Sequence, residues 1–357
     1  MITNKNSGYT IISRPDYFDE LIKAAITAKP NDRITIATMG FDPKEPKIHK
    51  LVEGLKQAAA AGARVELLID AHNFMITSHK VPGPLMVRET IPKHMPPPFR
   101  HVKQAVKELR SNGVKVTITN IPKTKLSSPF AGRSHMKYAL INDLVYVGGC
   151  NLTNVEDVDL MVNWRDKSVV KQLQNIVNDI HKTKQVKTSL NATDLSVKTS
   201  FGSTLLIDSG VPNQSLIMDQ AMKLIDSAQS EILMTSQFLP NSTTANHLKK
   251  AHERGVKVNI ITNHPSAHSL PFNVLMRATK FHEKQRMPKH FFEDSLPKGH
   301  SYLHAKLLAT DAGTLIGSHN YVAYGVQAGT AEIAILVNDP AFRTEAVQAL
   351  NKQLHKI

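Results

Sequence analysis

A chain that repeats itself over most of its length is constrained to fold as two like halves, and the repeat here is densest around two polar clusters. Residues 302–320 read Y-L-H-A-K-L-L-A-T-D-A-G-T-L-I-G-S-H-N, and residues 134–151 read S-H-M-K-Y-A-L-I-N-D-L-V-Y-V-G-G-C-N. In an extended strand side chains alternate, so His304 and Lys306 are expected on one side, as are His135 and Lys137. Asp311 starts a turn, and the return strand ending in Gly317-Ser318-His319-Asn320 brings Asn320 back beside His304 and Lys306. Gly148-Gly149-Cys150-Asn151 repeats that ending and does the same for Asn151.

The repetition runs well beyond these clusters. L-K-Q-A-A-A-A-G-A-R-V-E-L-L-I from Leu55 matches L-K-K-A-H-E-R-G-V-K-V-N-I-I from Leu248, with the glycine seven residues after the leucine in both. Helical spacing over residues 16–27 and 48–61, alternation over 33–41 and an apolar run over 64–70 give a β-α-β unit with parallel strands. Strands over 231–238 and 257–262 flank a helix over 247–254 and return the unit. After each cluster an acid, Asp159 or Glu332, opens a strand that ends seven residues later at Asp166 or Asp339 before a closing helix. The expected fold is α/β: two duplicated halves with mixed sheets about a pseudo-two-fold axis and one site between them. The halves span 1–183 and 204–357, and the polar stretch 184–203 reads as their linker.

Charge then narrows the partners. With 44 Lys and Arg against 30 Asp and Glu, the 357-residue chain carries a formal +14, which concentrates anionic ligands such as nucleic acid or lipid headgroups. The single cysteine, Cys150, excludes an internal disulfide. No secretion-signal pattern opens the sequence and no apolar run reaches the ~20 residues that span a bilayer. The expectation is a cytoplasmic protein, peripheral at most on the inner face of the membrane.

The two clusters resemble the signature of the phospholipase D superfamily, H-x-K-x4-D followed by G-[GS]-x-N and present twice. The second copy fits throughout. In the first, Asn142 stands where Asp311 stands in the second, with Asp143 one residue later. The resemblance implies phosphodiester chemistry with His135 and His304 as nucleophile and general acid/base through a phosphohistidine, His135 being favoured as the attacking group. It also implies that Lys137, Lys306, Asn151 and Asn320 hold phosphate oxygens, and that Asp159 and Glu332 each fix a histidine tautomer. Asp143 and Asp311 are expected to shape turns and pair with basic groups. Ser318 and Cys150 occupy equivalent places, which makes Cys150 a packed residue near the site. No cofactor or metal is expected.

Within that superfamily, R-S-H-M-K at 133–137, G-G-C-N at 148–151, and L-I-D-S-G at 206–210 followed by T-S-Q-F-L-P at 235–240 are similar to the cardiolipin synthase-like branch. This implies a phosphatidyl donor, an alcohol or water acceptor and an anionic membrane surface. A nuclease is the rival, because the basic charge suits nucleic acid equally well. A binding module with weakened turnover is the third reading. His72 and His264, each following a repeated strand, are candidates for the pocket rim. The Pro-rich segment from His72 to Arg100 reads as a long loop, with Leu85, Met86, Val87, Met95 and Phe99 as a lid or interface-seeking stretch.

Overall fold

In the computed structural model, described over residues 8–74, 97–121, 132–240, 242–267 and 296–354 with isolated positions between 274 and 291, each half is built on a seven-stranded sheet. The first half runs β1 (Tyr9–Ser13), α1 (Arg14–Ile26), β2 (Arg33–Thr38), α2 (Pro46–Ala60), β3 (Arg64–Asp70), α3 (Pro97–Ser111), β4 (Lys115–Thr119), β5 (Tyr138–Ile141), β6 (Leu144–Gly148), β7 (Leu160–Arg165) and α4 (Lys167–Thr183). After α5 (Val186–Ser189), the second half runs β8 (Leu195–Lys198), β9 (Thr204–Ser209), α6 (Leu216–Ser227), β10 (Glu231–Ser236), α7 (Ser242–Glu253), β11 (Lys257–Thr262), β12 (Leu307–Thr310), β13 (Gly313–Gly317), α8 (Ala323–Gln327), β14 (Ala331–Val337) and α9 (Pro340–Leu354).

The strand orders show the duplication directly. The first sheet is β1-β7-β6-β5-β2-β3-β4, and the second, read from its far edge, is β8-β9-β14-β13-β12-β10-β11. Removing β4 from one and β8 from the other leaves six matching strands in the same order. β2 and β3 pair in parallel, as do β10 and β11, which is what a helical crossover dictates. The remaining pairs of the six-strand repeat are antiparallel, so both sheets are mixed.

One hydrophobic cluster is common to both halves. It joins Val145, Val147 and Val162 of the first sheet to Leu307, Ile316 and Ile333 of the second, with Leu173 of α4 and Phe342 of α9. On its outer face the first sheet buries the apolar sides of α1, α2 and α3, and the second sheet those of α6 and α7. The halves therefore share a core and cannot part without exposing it. The two aspartates that end the repeated strands start the closing helices. Asp166 caps α4 by accepting from Ser168 N and Val169 N, each at 3.0 Å, and Asp339 accepts from Ala341 N at 2.8 Å.

Three expectations need correction. Residues 184–203 are more than a linker, because β8 pairs with β9 and the second sheet begins at Leu195. The loop expected up to Arg100 ends earlier, because α3 starts at Pro97, where the N–H groups missing from two prolines have no helical partner to lose. Residues 81–96 of the expected lid lie outside the described residues. Finally, the His and Lys of each cluster precede a strand instead of lying in one, since β5 starts at Tyr138 and β12 at Leu307. The reason is a crossing between halves. His304 N and Ala305 N both donate to Val158 O, at 2.8 and 2.9 Å, while His135 N donates to Ala331 O at 2.8 Å.

Candidate active site

Each cluster is thus tied to the acid-bearing strand of the opposite half, through the bridges Val158 to Leu303 and Ser134 to Ala331. The same crossing pairs the acids with the histidines. Asp159 Oδ2 lies 2.6 Å from His304 Nδ1, and the two carboxylate oxygens of Glu332 lie 3.1 and 3.0 Å from His135 Nδ1. With Nδ1 engaged in both rings, each Nε2 is the nitrogen left for chemistry. Glycine permits this approach. A Cβ on Gly148 would stand 2.2 Å from Leu160 O, one on Gly317 2.4 Å from Ile333 O, and one on Gly149 2.2 Å from Asp159 Oδ1.

Lys137 and Lys306 are 0% and 1% exposed. Each ammonium donates to the carbonyl of the histidine two residues before it, Lys137 Nζ to His135 O at 2.6 Å and Lys306 Nζ to His304 O. Neither forms an ion pair among the described residues. Burial is the main reason that both fall below the usual lysine range, Lys306 to about 8 and Lys137 well below. Asn320 has a buried side-chain oxygen without a partner among the described residues. Asn151 differs, because its Oδ1 accepts from Gly40 N at 3.0 Å.

The acids of the two turns lie elsewhere. Asp311 accepts from the backbone N–H groups of Gln229, Ser230 and Glu231 ahead of β10. Asn142, in the left-handed region at φ 54°, accepts from Arg33 N at 2.9 Å at the start of β2. Asn142 therefore fills the structural place of Asp311, and Asp143 pairs with Arg165. Gly149 and not Cys150 is the counterpart of Ser318, since Gly149 N donates to Leu160 O as Ser318 N does to Ile333 O, and Gly149 offers Asp159 no match for the hydroxyl that Ser318 donates to Glu332 Oε2. Removing this hydroxyl with Ser318→Ala is expected to lower turnover about tenfold at unchanged fold, the scale of a lost outer partner of a site histidine, read from steady-state rates and circular dichroism. His264 pairs locally with Ser266 Oγ at 2.7 Å, and His72 sits in the 3-10 turn after β3.

Sequence reasoning missed three buried residues. Asp70, the last residue of β3, accepts from Ser134 N at 2.7 Å, immediately before His135. Asn263, at the equivalent place after β11, accepts from Leu303 N at 2.8 Å and donates to Leu303 O at 2.7 Å, immediately before His304. R-V-E-L-L-I-D against K-V-N-I-I-T-N carried that signal, a polar residue ending each apolar strand. The third is Arg14, 0% exposed, whose Nη2 lies 2.8 Å from Asp159 Oδ2 and 3.3 Å from His304 Nδ1.

Two like halves presenting paired histidines and lysines at their junction define a phospholipase D-type fold. The chain matches the family described as cardiolipin synthase, PLD-like domain, over residues 21–181 and 221–357, and it belongs to that family. Its structure is similar to phosphatidylserine synthase from Haemophilus influenzae Rd KW20, with a TM-score of 0.71 and 13% identity, covering 98% of this chain and 87% of that one. It is also similar to polyphosphate kinase from Porphyromonas gingivalis, with a TM-score of 0.57 and 13% identity, covering 97% of this chain and 47% of the kinase. At such identities these likenesses establish the fold. No curated protein matches the sequence significantly. Among the described residues no helix is long and apolar enough to cross a membrane.

Proposed function

We propose that this protein cleaves a phospholipid phosphodiester and passes the phosphatidyl group, through a phosphohistidine and without a metal ion, to an alcohol or to water. The observation that carries the reading is the pair of buried lysines, whose ammonium groups meet backbone carbonyls and, among the described residues, no carboxylate within ion-pair distance. Two buried ammonium groups with no direct ion-pair partner are costly unless an anion completes the site. A phosphodiester supplies that anion, and the lysines then neutralise its non-bridging oxygens as charge builds on phosphorus. The unpartnered Asn320 oxygen suits a hydroxyl of the donor or acceptor.

The histidines divide the remaining work. One Nε2 attacks phosphorus while the other gives a proton to the departing alkoxide, and the second then takes a proton from the acceptor as the phosphorus–nitrogen bond breaks. The +14 formal charge favours docking at anionic headgroups. Family membership supports the lipid donor.

The test compares phosphatidylglycerol vesicles with single- and double-stranded DNA, with and without EDTA. Headgroup release or cardiolipin formation at the same rate in EDTA, with DNA intact, is the expected result. DNA cleavage beside inert vesicles would make the protein a nuclease. Inactivity on both, with the fold intact, would make it a binding module of the same fold.

A further inference from the structure

The two halves leave different groups open at the same place in the fold. β2 and β10 are equivalent strands, and Thr38 and Ser236 are the last residues that each pairs with its parallel neighbour. Two residues further on, Gly40 N donates to Asn151 Oδ1 at 3.0 Å and satisfies that oxygen. The matching N–H of the second half, on Phe238, is drawn to Ser236 Oγ at 3.3 Å, and Asn320 Oδ1 is buried without a partner among the described residues. Between these positions stands Met39 in one half and Gln237 in the other. Gln237 Oε1 is a second buried oxygen without a partner among the described residues.

We infer that Gln237 is a specificity-determining residue, whose side-chain oxygen acts with that of Asn320 to receive a second hydroxyl of the alcohol that gives up or takes the phosphatidyl group. The inference rests on the transfer reading above and names what the site selects, an alcohol with another hydroxyl beside the reacting one.

Contacts on both sides hold Gln237 at the site. Ser236, its neighbour, donates its hydroxyl to Asn320 O at 2.8 Å. The Gln237 carbonyl accepts from Asn263 Nδ2 at 3.3 Å, and the same amide donates to Leu303 O at 2.7 Å, one residue before His304. The Gln237 side chain is hydrogen-bonded to Tyr302, whose ring stands 6.5 Å from that of His304. With Oε1 open, the amide NH₂ is the group that donates to the Tyr302 hydroxyl. Gln237 is therefore tied on one side to Asn320 and on the other to the segment that carries His304. By resemblance to the superfamily His304 is the general acid and base, and the oxygen of the alcohol belongs beside that ring.

The chemistry of the two oxygens selects the ligand. Amide oxygens accept and cannot donate, so neither suits a phosphate oxygen, which is an acceptor too. They call for an O–H or N–H donor. An ammonium headgroup is disfavoured, because Lys306 is buried two residues on from His304 and the Arg14 guanidinium lies 3.3 Å from His304 Nδ1. A neutral hydroxyl remains. A buried acceptor left unpaired is costly, so an alcohol that fills it is favoured over one that cannot. In a double displacement the accepting alcohol enters where the leaving alcohol departed, and one subsite reads both.

The test uses vesicles of phosphatidyl-p-nitrophenol with equimolar n-propanol, propylene glycol and ethanolamine as acceptors. Propylene glycol differs from n-propanol only by the neighbouring hydroxyl. Nitrophenol release reports turnover, and mass spectrometry of the lipid products reports which alcohol was taken, as a ratio that does not depend on the amount of active protein. The unmutated protein is expected to favour the glycol over n-propanol about tenfold, and to take ethanolamine least. Gln237→Met, which installs the residue of the first half, should bring the glycol-to-propanol ratio down about tenfold, whereas Gln237→Glu, which keeps an accepting oxygen, should hold it within about threefold. Equal use of glycol and n-propanol by the unmutated protein, a preference for ethanolamine, or an unchanged ratio in Gln237→Met would each overturn the inference. Phosphatidic acid as the sole lipid product would overturn it as well. No nitrophenol release from the unmutated protein would instead sink the transfer reading.

Discussion

Replacing both His135 and His304 with alanine is expected to lower steady-state turnover of a natural phosphodiester no further than replacing either one, each variant losing on the order of 10⁴-fold or more. The reason is that the leaving group of a natural lipid is an alkoxide, far more basic than nitrophenolate. Without the attacking ring no covalent intermediate forms, and without the acid the alkoxide cannot leave, so one loss already stops the cycle. Residues that act as a unit are non-additive in this way, whereas two independent weak sites would multiply their losses. The buried lysines and the unpartnered Asn320 oxygen remain in all three variants and should still bind the diester. The check is a rate measurement on the single and double variants with parallel vesicle-binding isotherms. A double variant some hundredfold slower than either single would show that the two clusters do not form one site.

Much of this arrangement is legible in the amino-acid order, and what is not has physical causes. The paired β-α-β units stand out because a buried parallel strand needs an apolar run, as in Arg64–Asp70, and an edge strand needs alternation, as in Lys257–Thr262. The glycine-rich endings signal close backbone approach, which Gly148 and Gly317 show at the acid-bearing strands. By contrast, β4 and β8 belong to no repeat, are five and four residues long, and lie at sheet edges. The alternating half-buried pattern of β8 between polar flanks is hard to tell from a linker. The histidines fall outside their strands because their backbone N–H groups donate into the other half, a pairing that local periodicity cannot contain. Arg14 is hidden for the same reason. Beside Pro15 at a helix start it reads as an exposed cap-region residue, and only the β1–β7 register, with Asp159 145 positions away, reveals its target.

The same register separates the two orienting acids when each is made neutral. In Asp159→Asn one amide oxygen replaces two carboxylate oxygens, and two donors converge on it, His304 Nδ1–H and Arg14 Nη2–H. Leu160 N–H already donates to the other carboxylate oxygen, Oδ1, at 2.9 Å, so one amide oxygen cannot serve both sides, and with it turned to Leu160 the NH₂ faces His304 Nδ1–H and Arg14 as a donor against donors. In Glu332→Gln the oxygen at the Oε1 place can serve His135, and the NH₂ at the Oε2 place meets Ser318 Oγ, a hydroxyl that can turn from donor to acceptor. Asp159→Asn is therefore expected to lower turnover by on the order of 10³-fold, the scale seen when a histidine is left with the wrong tautomer. It should also lose about 3 kcal/mol of stability, because a buried cation gives up one of its counter-charges. Glu332→Gln should lose roughly tenfold to a hundredfold in rate and about 1 kcal/mol. Turnover and urea midpoints of the two variants, measured side by side, decide the matter. Equal losses in both would mean that Arg14 does not compete for Asp159, and that the asymmetry between the halves has no part in the chemistry.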